Sequence, residues 1–548
     1  MKYKQISLAV LFSAAILTGC GQSDAIKLVT EQVDADNIKA HMDFLADDTL
    51  LGRDTGSQGH QIAANYVKSH FKQNNMVAMG DHGGFEQIVT LRETTTDVDS
   101  AMMSIENVNG LVDLTFAKDF IMSGSKLVTE TAIKAETVFV GYGVVSTEFG
   151  LDDYQGIDVN GKIVVALHGR PNKLPSEEGA HIGSGNEKRR HAAERGAVGF
   201  ITVHTPKREK IRTFAKSAKS AGKPSMAWLT KDNLPFNIHP QLKGIAYINS
   251  EPAKDLFHDS KRNLEDIFAD DNQNKVIKGF ALNSKVTIAI KSQHSKVNSP
   301  NIIASIEGSD AQLKNEYVVF SAHLDHIGVN TNGNNEDKIN NGALDNASGV
   351  SILLETARLM ANRTEKPKRS VLFVVVTGEE RGLLGSSYFA NNPTVPVMQM
   401  VANVNLDMPM ILYPFADVIA FGSTHSSLAD AVTKAAQKID ISLSPDPMPE
   451  EALFTRSDHY SFVKAGIPSV FLMTGFKSKD PAFDGGKEFG NFLKNHYHQH
   501  SDELSLPINY DAAASFAEVN LMIGLEIANG DNRPSWNKDD FFGKTFAQ

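Results

Sequence analysis

Four short apolar runs in the second half of the chain, YVVFSA, VLFVVV, MVANVNL and IPSVFLM, alternate with amphipathic helical stretches. That alternation dictates βα units on a mainly parallel sheet. One such stretch, GVSILLETARLMAN, carries Val350, Leu353, Leu354, Ala357, Met360 and Ala361 on a single face. The residues at the ends of the runs constrain the chain further. YVVFSA leads into His323-Leu324-Asp325-His326, VLFVVV into Thr377-Gly378-Glu379-Glu380, and MVANVNL into Asp407. In an open α/β sheet the carboxyl ends of neighbouring strands share one rim, and ligands bind there. Histidine and carboxylates from distant segments therefore converge in one crevice. Carboxylates gathered this way raise one another's pKa or require a cation. Histidine with Asp and Glu suits zinc or another first-row metal better than calcium.

Taken singly, each piece has an ordinary explanation. His323 fits a hydrogen-bonded core histidine, and Asp345 in NNGALDNASG fits a cap for the helix after it. Asp407 fits a strand end, and HYHQH at 496–500 fits an exposed polar tract. Gathered at one rim, they point to a metal centre.

The 548 residues exceed one ordinary core, so two domains are expected. Residues 130–280 read differently from the rest, with short β-like runs (TVFVGYGVV, GKIVVALHG, VGFITV) around the helix NEKRRHAAERGA. They read as a domain inserted into the other. A hydrophobic content of 41% with 22% charged residues is that of a soluble globular chain. The net charge of −11 and the absence of a long basic run exclude nucleic acid as a partner. The start, MKYKQISLAVLFSAAILTGCGQSD, has Lys2 and Lys4, an apolar run, then Leu17-Thr18-Gly19-Cys20. It resembles a bacterial lipoprotein signal peptide (residues 1–19), which implies a lipid anchor on Cys20. Cys20 is the sole cysteine, so no disulfide is expected, and Gly21 after it fits outer-membrane sorting. The expected location is the cell envelope, anchored in the outer membrane and facing the periplasm or the surface.

HLDHIG, GALDNASG, TGEERGLLGS, NLDM, RSDHYSF and HQHSDE occur in that order after FLADDTLLGRDTGSQG. This series resembles the bacterial zinc-dependent aminopeptidases that share a peptidase family with glutamate carboxypeptidase and the transferrin receptor ectodomain. VGYGV, DDYQGIDVNGKIVV and KRRHAAERGAVGFI resemble a protease-associated domain. The resemblance implies an α/β fold, a mainly parallel-sheet, three-layer zinc-peptidase domain (phosphorylase/hydrolase-like) with an inserted β-rich protease-associated domain. The boundaries read as 25–125 and 285–535 for the catalytic domain and 126–284 for the insertion.

The resemblance also implies roles and two Zn2+ per chain. Metal ligands would be His323, Asp345, Glu380, Asp407 and His498, with Asp345 bridging. Glu379 would be the general base and Asp325 the partner that fixes the His323 tautomer. Adjacent residues of an extended chain point to opposite sides, so Glu379 and Glu380 could serve different tasks. In an extended chain His496, His498 and His500 would all face one way, and the choice of His498 follows the family's H-x-x-x-D pattern with Asp502. Three carboxylates against two dications leave a charge of about +1, a tolerable balance. The resemblance further implies a cis peptide at Asp345–Asn346, and places Asp458 and Tyr460 at the substrate pocket. Tyr460 is weighed equally as an oxyanion donor and as a packed core residue. The leading reading is an aminopeptidase acting on peptide substrates, with a neutral to mildly alkaline optimum. The alternatives are a carboxypeptidase for acidic C-terminal residues, which would need an arginine cluster where only Arg381 and Arg456 lie near the motifs, a one-metal glutaminyl cyclase, or a lipid-anchored, non-catalytic binding protein. The sequence does not set the oligomeric state.

Overall fold

A computed structural model of the chain describes residues 32–330 and 336–547. The signal-peptide segment and Cys20 lie outside them. Helices α1 (Ala35–Leu45) and α2 (Gln58–Gln73) start on the side chains of Asp34 and Ser57, which accept the backbone N–H of Asp36 and His60. The main strands of the first half are β1 (Glu86–Asn107), β2 (Glu130–Phe139), β3 (Ile163–Leu167), β4 (Gly199–Val203), β5 (Gly244–Ile248) and β6 (Phe280–Ile306). The second half contributes β7 (Tyr317–His323), β8 (Ser370–Val376), β9 (Met400–Asn405), β10 (Asp417–Phe421) and β11 (Ser469–Thr474). All belong to one 16-stranded sheet among the described residues, whose main path runs β10-β11-β9-β7-β8-β6-β2-β3-β4-β5, with β1 paired antiparallel to β6 off that path.

The four strands anticipated from the apolar runs, β7, β8, β9 and β11, are parallel to their neighbours within that set. β6 runs antiparallel to β8, and β10 antiparallel to β11. Side chains alternate across these buried strands, so each strand feeds two cores. Val318, Phe320 and Ala322 pack with helices α3 (Gly349–Asn362) and α5 (Tyr510–Asn529) on one face. Val319, Leu372, Val374 and Val376 pack with Phe389 and Phe462 on the other. Helices thus cover both faces, giving three layers. A further helix, α4 (Gly485–Asn495), leads into the histidine-rich tract.

The second lobe hangs from β1 and β6, strands of 22 and 27 residues that pair from Glu86↔Ile302 to Glu106↔Lys285. Their far halves enter a separate core, where Met103, Ile105, Val286 and Ile288 meet Phe139 and Ile163. β2 to β5 are parallel there. That core begins at Met103, well before the expected boundary at 126, and extends to Ile290, beyond 284. A strand shared by two cores keeps one alternating pattern across the junction, so no break in composition marks it. Among the described residues no helix is long and apolar enough to cross a membrane.

Candidate metal centre

Strand register assembles the first half of the centre. His323, the last residue of β7, pairs with Val376 at the end of β8. Ser321 pairs with Asn405 of β9, and that register carried on by two residues sets Asp407 beside His323. The His323 Nε2 atom lies 3.2 Å from Asp407 Oδ1. Asp345 arrives from the turn before α3, where the Asp345–Asn346 peptide is cis. The Asn346 side chain ties that turn to the strand ends: its Nδ2 donates to Leu406 O (3.0 Å), and its Oδ1 accepts from the N–H of Met408 (3.0 Å). From the other side, the Asp502 carboxylate accepts the N–H groups of Leu344 (2.9 Å) and Asp345 (3.1 Å).

Asp345 faces two ways. Its Oδ1 is 3.4 Å from His323 Nε2, and its Oδ2 is 3.2 Å from His498 Nε2, which in turn lies 3.0 Å from Glu380 Oε2. These separations match the ~3.3–3.4 Å edge of a tetrahedron with ~2.0–2.1 Å metal–ligand bonds, the geometry of protein-bound zinc. All five residues expected as ligands therefore meet in one place, as two groups sharing Asp345.

Three local expectations need correction. The Asp325 carboxylate does not hold His323: its Oδ1 is 4.0 Å from Nδ1, which instead faces the Asp325 main-chain oxygen at 3.1 Å. That bond still leaves Nε2 turned toward Asp345 and Asp407. The carboxylate accepts the N–H groups of Glu379 (3.1 Å) and Glu380 (3.3 Å) and the Thr55 hydroxyl (3.1 Å). Secondly, the two glutamates do not lie in extended chain. β8 ends at Val376, and they sit on a turn after Gly378, whose φ of +69° suits a residue without Cβ. Thirdly, the histidine tract is a turn with His498 at φ +58°, so its imidazoles diverge. His496 Nδ1 meets Ser501 Oγ at 3.0 Å, His500 Nδ1 lies 3.4 Å from Asp337, and His498 alone enters the centre.

Sequence reasoning passed over several contributors. His326 is fully buried with Nδ1 2.8 Å from Glu380 Oε1, and it forms a second potential metal-holding group with Asp345 and Glu380. His326 Nε2 has no hydrogen-bond partner, and Nδ1 and Glu380 Oε1 face each other without the alignment of a hydrogen bond, a buried deficit that a cation would relieve. The signal was available in HLDH, three residues beyond His323. The Ser457 hydroxyl donates to Asp407 Oδ2 and accepts from Asn405 Nδ2 at 2.7 Å. Buried Arg53 donates to the carbonyls of Leu45, Leu324 (2.9 Å), Asn341 (2.6 Å) and Gly342 (3.1 Å), binding the N-terminal loop to both sides of the centre. Tyr460 is core: its hydroxyl meets His181 Nδ1 at 2.6 Å, away from the cleft. Asp458 is fully buried, and burial lifts its carboxyl to about 7.

The electrostatics are those of a crowded anionic site. Burial pushes the Glu379 carboxyl well above the ordinary range, and the nearby Glu380 and Asp407 carboxylates add to that. Burial works against a charged His498, but Glu380 and Asp345 outweigh it and raise the imidazole to about 10. The same balance holds for His323, raised by Asp407 and Glu379 against burial. Burial also opposes charge on Glu380, yet His498 and His326 bring it down to about 2. The carboxylates thus demand positive charge, which protons or dications can supply.

Asp345, Glu379 and Asp407 open onto a cavity of about 330 Å³. Phe471, Met473, Phe489 and Leu493 give it an apolar wall, and the Tyr497 ring stacks on His498 at 3.9 Å. Arg381, by contrast, is held by both oxygens of Asp54 at 2.6 Å.

Several known proteins are similar. A "Probable zinc metalloprotease" of Pyrenophora tritici-repentis (strain Pt-1C-BFP) is 36% identical over 112 residues, 20% of this chain and 24% of that protein. "Leucine aminopeptidase 2" of Trichophyton rubrum is 25% identical over 299 residues, 53% of this chain and 55% of that protein. The chain thus spans between a quarter and about half the length of these curated relatives. Among solved structures, the aminopeptidase from Aneurinibacillus sp. strain AM-1 shares the fold, with a TM-score of 0.53 at 18% identity over 94% of this chain and 98% of that one. Residues 301–524, which carry every side chain of the centre from His323 to Asp502, match the model of Peptidase family M28.

Proposed function

We propose that the protein is a zinc-dependent aminopeptidase that hydrolyses the N-terminal residue of peptides. The observation that carries this is Asp345, whose two oxygens face different groups, His323 with Asp407 and His498 with Glu380. His323, Asp345 and Asp407 would hold one zinc ion, and Asp345, Glu380 and His498 the other. Zinc bound there would polarise the scissile carbonyl and lower the pKa of the attacking water toward ~7.

The chain's own groups do the rest. Glu379 lines the cleft, takes a proton from the attacking water and hands it to the departing amine. Its raised pKa suits a group that must hold that proton between the two steps. Asp325 is a positioning residue, because its carboxylate pins the backbone of both glutamates. The apolar wall favours a large apolar side chain on the residue released. The names of the relatives, a leucine aminopeptidase and a zinc metalloprotease, support this reading. The motifs VGYGV and KRRHAAERGAVGFI support a protease-associated identity for the second lobe. The lipobox-like Leu17–Cys20 supports attachment to the cell envelope through a lipid on Cys20.

A zinc-loaded digest of peptides with free, N-acetylated and C-amidated ends tests the reading by mass. Cleavage abolished by acetylation and retained on amidation is expected. Loss on amidation alone would instead make the enzyme a carboxypeptidase.

A further inference from the structure

Residues 52–56 lie outside the segment 301–524 that matches the family model, yet they grip three of the turns from which the centre is built. Arg53 reaches the carbonyls of Leu324, Asn341 and Gly342, and its own carbonyl accepts the N–H of His326 at 3.2 Å. Asp54 holds Arg381, the residue after Glu380, through both oxygens. Gly56 donates its N–H to Ser299 Oγ (3.1 Å), which shares a hydrogen bond with the Thr377 hydroxyl at 2.6 Å. The loop is entered through three left-handed residues in a row, Leu51, Gly52 and Arg53, with φ of 48°, 66° and 47°. Leucine and arginine hold that conformation only where surrounding contacts enforce it. A Cβ on Gly52 would collide with Asn340 O, so the close approach there requires glycine.

Thr55 sits inside this grip and is 5% exposed. Its hydroxyl donates to Asp325 Oδ2 at 3.1 Å. The same oxygen accepts the N–H of Glu380, and Oδ1 accepts that of Glu379. Asp325 is fully buried, so every donor counts in holding its charge and its orientation. Among the described residues Thr55 is the one side chain that hydrogen-bonds this carboxylate; His323 Nδ1 stays 4.0 Å away. The Thr55 methyl has a separate contact, Gly378, where a Cβ would stand 3.6 Å from it. Hydroxyl and methyl thus bear on the Glu379 turn by different routes, and substitution can separate them.

We propose that Thr55 is a positioning residue for the general base. Its hydroxyl fixes the Asp325 carboxylate, which fixes the N–H groups of Glu379 and Glu380 and so the aim of Glu379 into the cleft. The proposal rests on the aminopeptidase reading and adds to it a segment that residues 301–524 do not contain. A base that must meet first a water and then an amine tolerates little drift, since a misplacement of about 1 Å can cost ~10²-fold in rate.

The test uses the zinc-loaded full chain and two readouts, release of leucine from leucine p-nitroanilide and amide hydrogen exchange of the peptide spanning residues 377–383. Thr55→Val keeps the methyl and loses the hydroxyl; Thr55→Ser does the reverse. Thr55→Val is expected to lose about tenfold or more in kcat with KM within about twofold, and to exchange faster at the Glu379 turn. Thr55→Ser should stay within about threefold of wild type and exchange as wild type does. In an Asp325→Ala background, Thr55→Val should cost less than about twofold further, because the two residues act in series. Full additivity in that cycle would overturn the proposal, since Thr55 would then act by another route. So would a serine variant that loses as much as the valine one, which would make the methyl the working group. A Thr55→Val variant equal to wild type in both readouts would overturn it as well. A wild type that releases no leucine overturns the aminopeptidase reading, and the exchange of the Glu379 turn then decides the Thr55 grip by itself.

Discussion

Two histidines stand between pairs of carboxylates, and they do so differently. His425 gives each ring nitrogen its own partner, Nε2 to Glu177 at 2.7 Å and Nδ1 to Asp540 at 2.6 Å. His498 instead turns one nitrogen toward two carboxylates, Asp345 and Glu380, at 3.2 and 3.0 Å. Burial disfavours charge on both, their acidic neighbours outweigh it, and each rises to about 10. The first arrangement is complete as an imidazolium, with both N–H donors satisfied. The second places three donor atoms around one point and leaves a single proton to serve two acceptors, the arrangement of a metal ligand set. Charge alone does not separate an ion-pair clamp from a metal site; the direction of the nitrogens does. His425 ties Glu177 of the second lobe and Asp540 of the C-terminal segment to the lobe that carries the candidate metal centre.

Substitutions separate a metal site from a clamp. The largest effect is expected from Asp345→Ala, which removes an oxygen from both groups: zinc content measured by plasma mass spectrometry should collapse, and activity with it. Loss of half the zinc or none would show that Asp345 is not shared. Glu379→Gln should keep its zinc and lose ~10²–10⁴ in kcat, the range of a general base. If the variant loses metal as well, Glu379 is a ligand rather than a base. A milder loss, ~10–100-fold in metal affinity or activity, is expected for Asp325→Asn, whose carboxylate supports both glutamates. His498→Ala should lose zinc where His425→Gln does not, and that pair tests the contrast itself.

The smallest effect concerns stability. The His425 pKa is raised in the folded protein from 6.5 to about 10. Its contribution, on the order of 2 kcal/mol after partial screening, is therefore fully present below pH ~6.5 and is lost as pH climbs toward 10. Thermal melts of wild type and His425→Gln should differ by several degrees at pH 6 and converge near pH 10. A gap that widens with pH would contradict the clamp.

Legibility in the sequence tracked local structure. His323 ends one buried parallel strand and Asp407 lies two residues beyond the end of another, so the run of apolar residues and the shared rim were enough to bring them together. The residues on turns that are proposed as metal ligands were legible only through resemblance. His498 and its neighbours diverge because the chain there has a positive φ, which a strand or helix period cannot anticipate. His326 was hidden because its role depends on Glu380, distant in the chain. The lobe boundary was missed because β1 and β6 run through both cores.

The function proposed for the centre turns on Asp345 joining two metal sites. Anomalous scattering at the zinc edge from crystals of the zinc-loaded protein addresses this without intermediaries. Two peaks are expected to flank the Asp345 carboxylate, one beside His323 and Asp407 and one beside Glu380 and His498. A single peak, or a pair that leaves Asp345 uncoordinated, would refute the shared site.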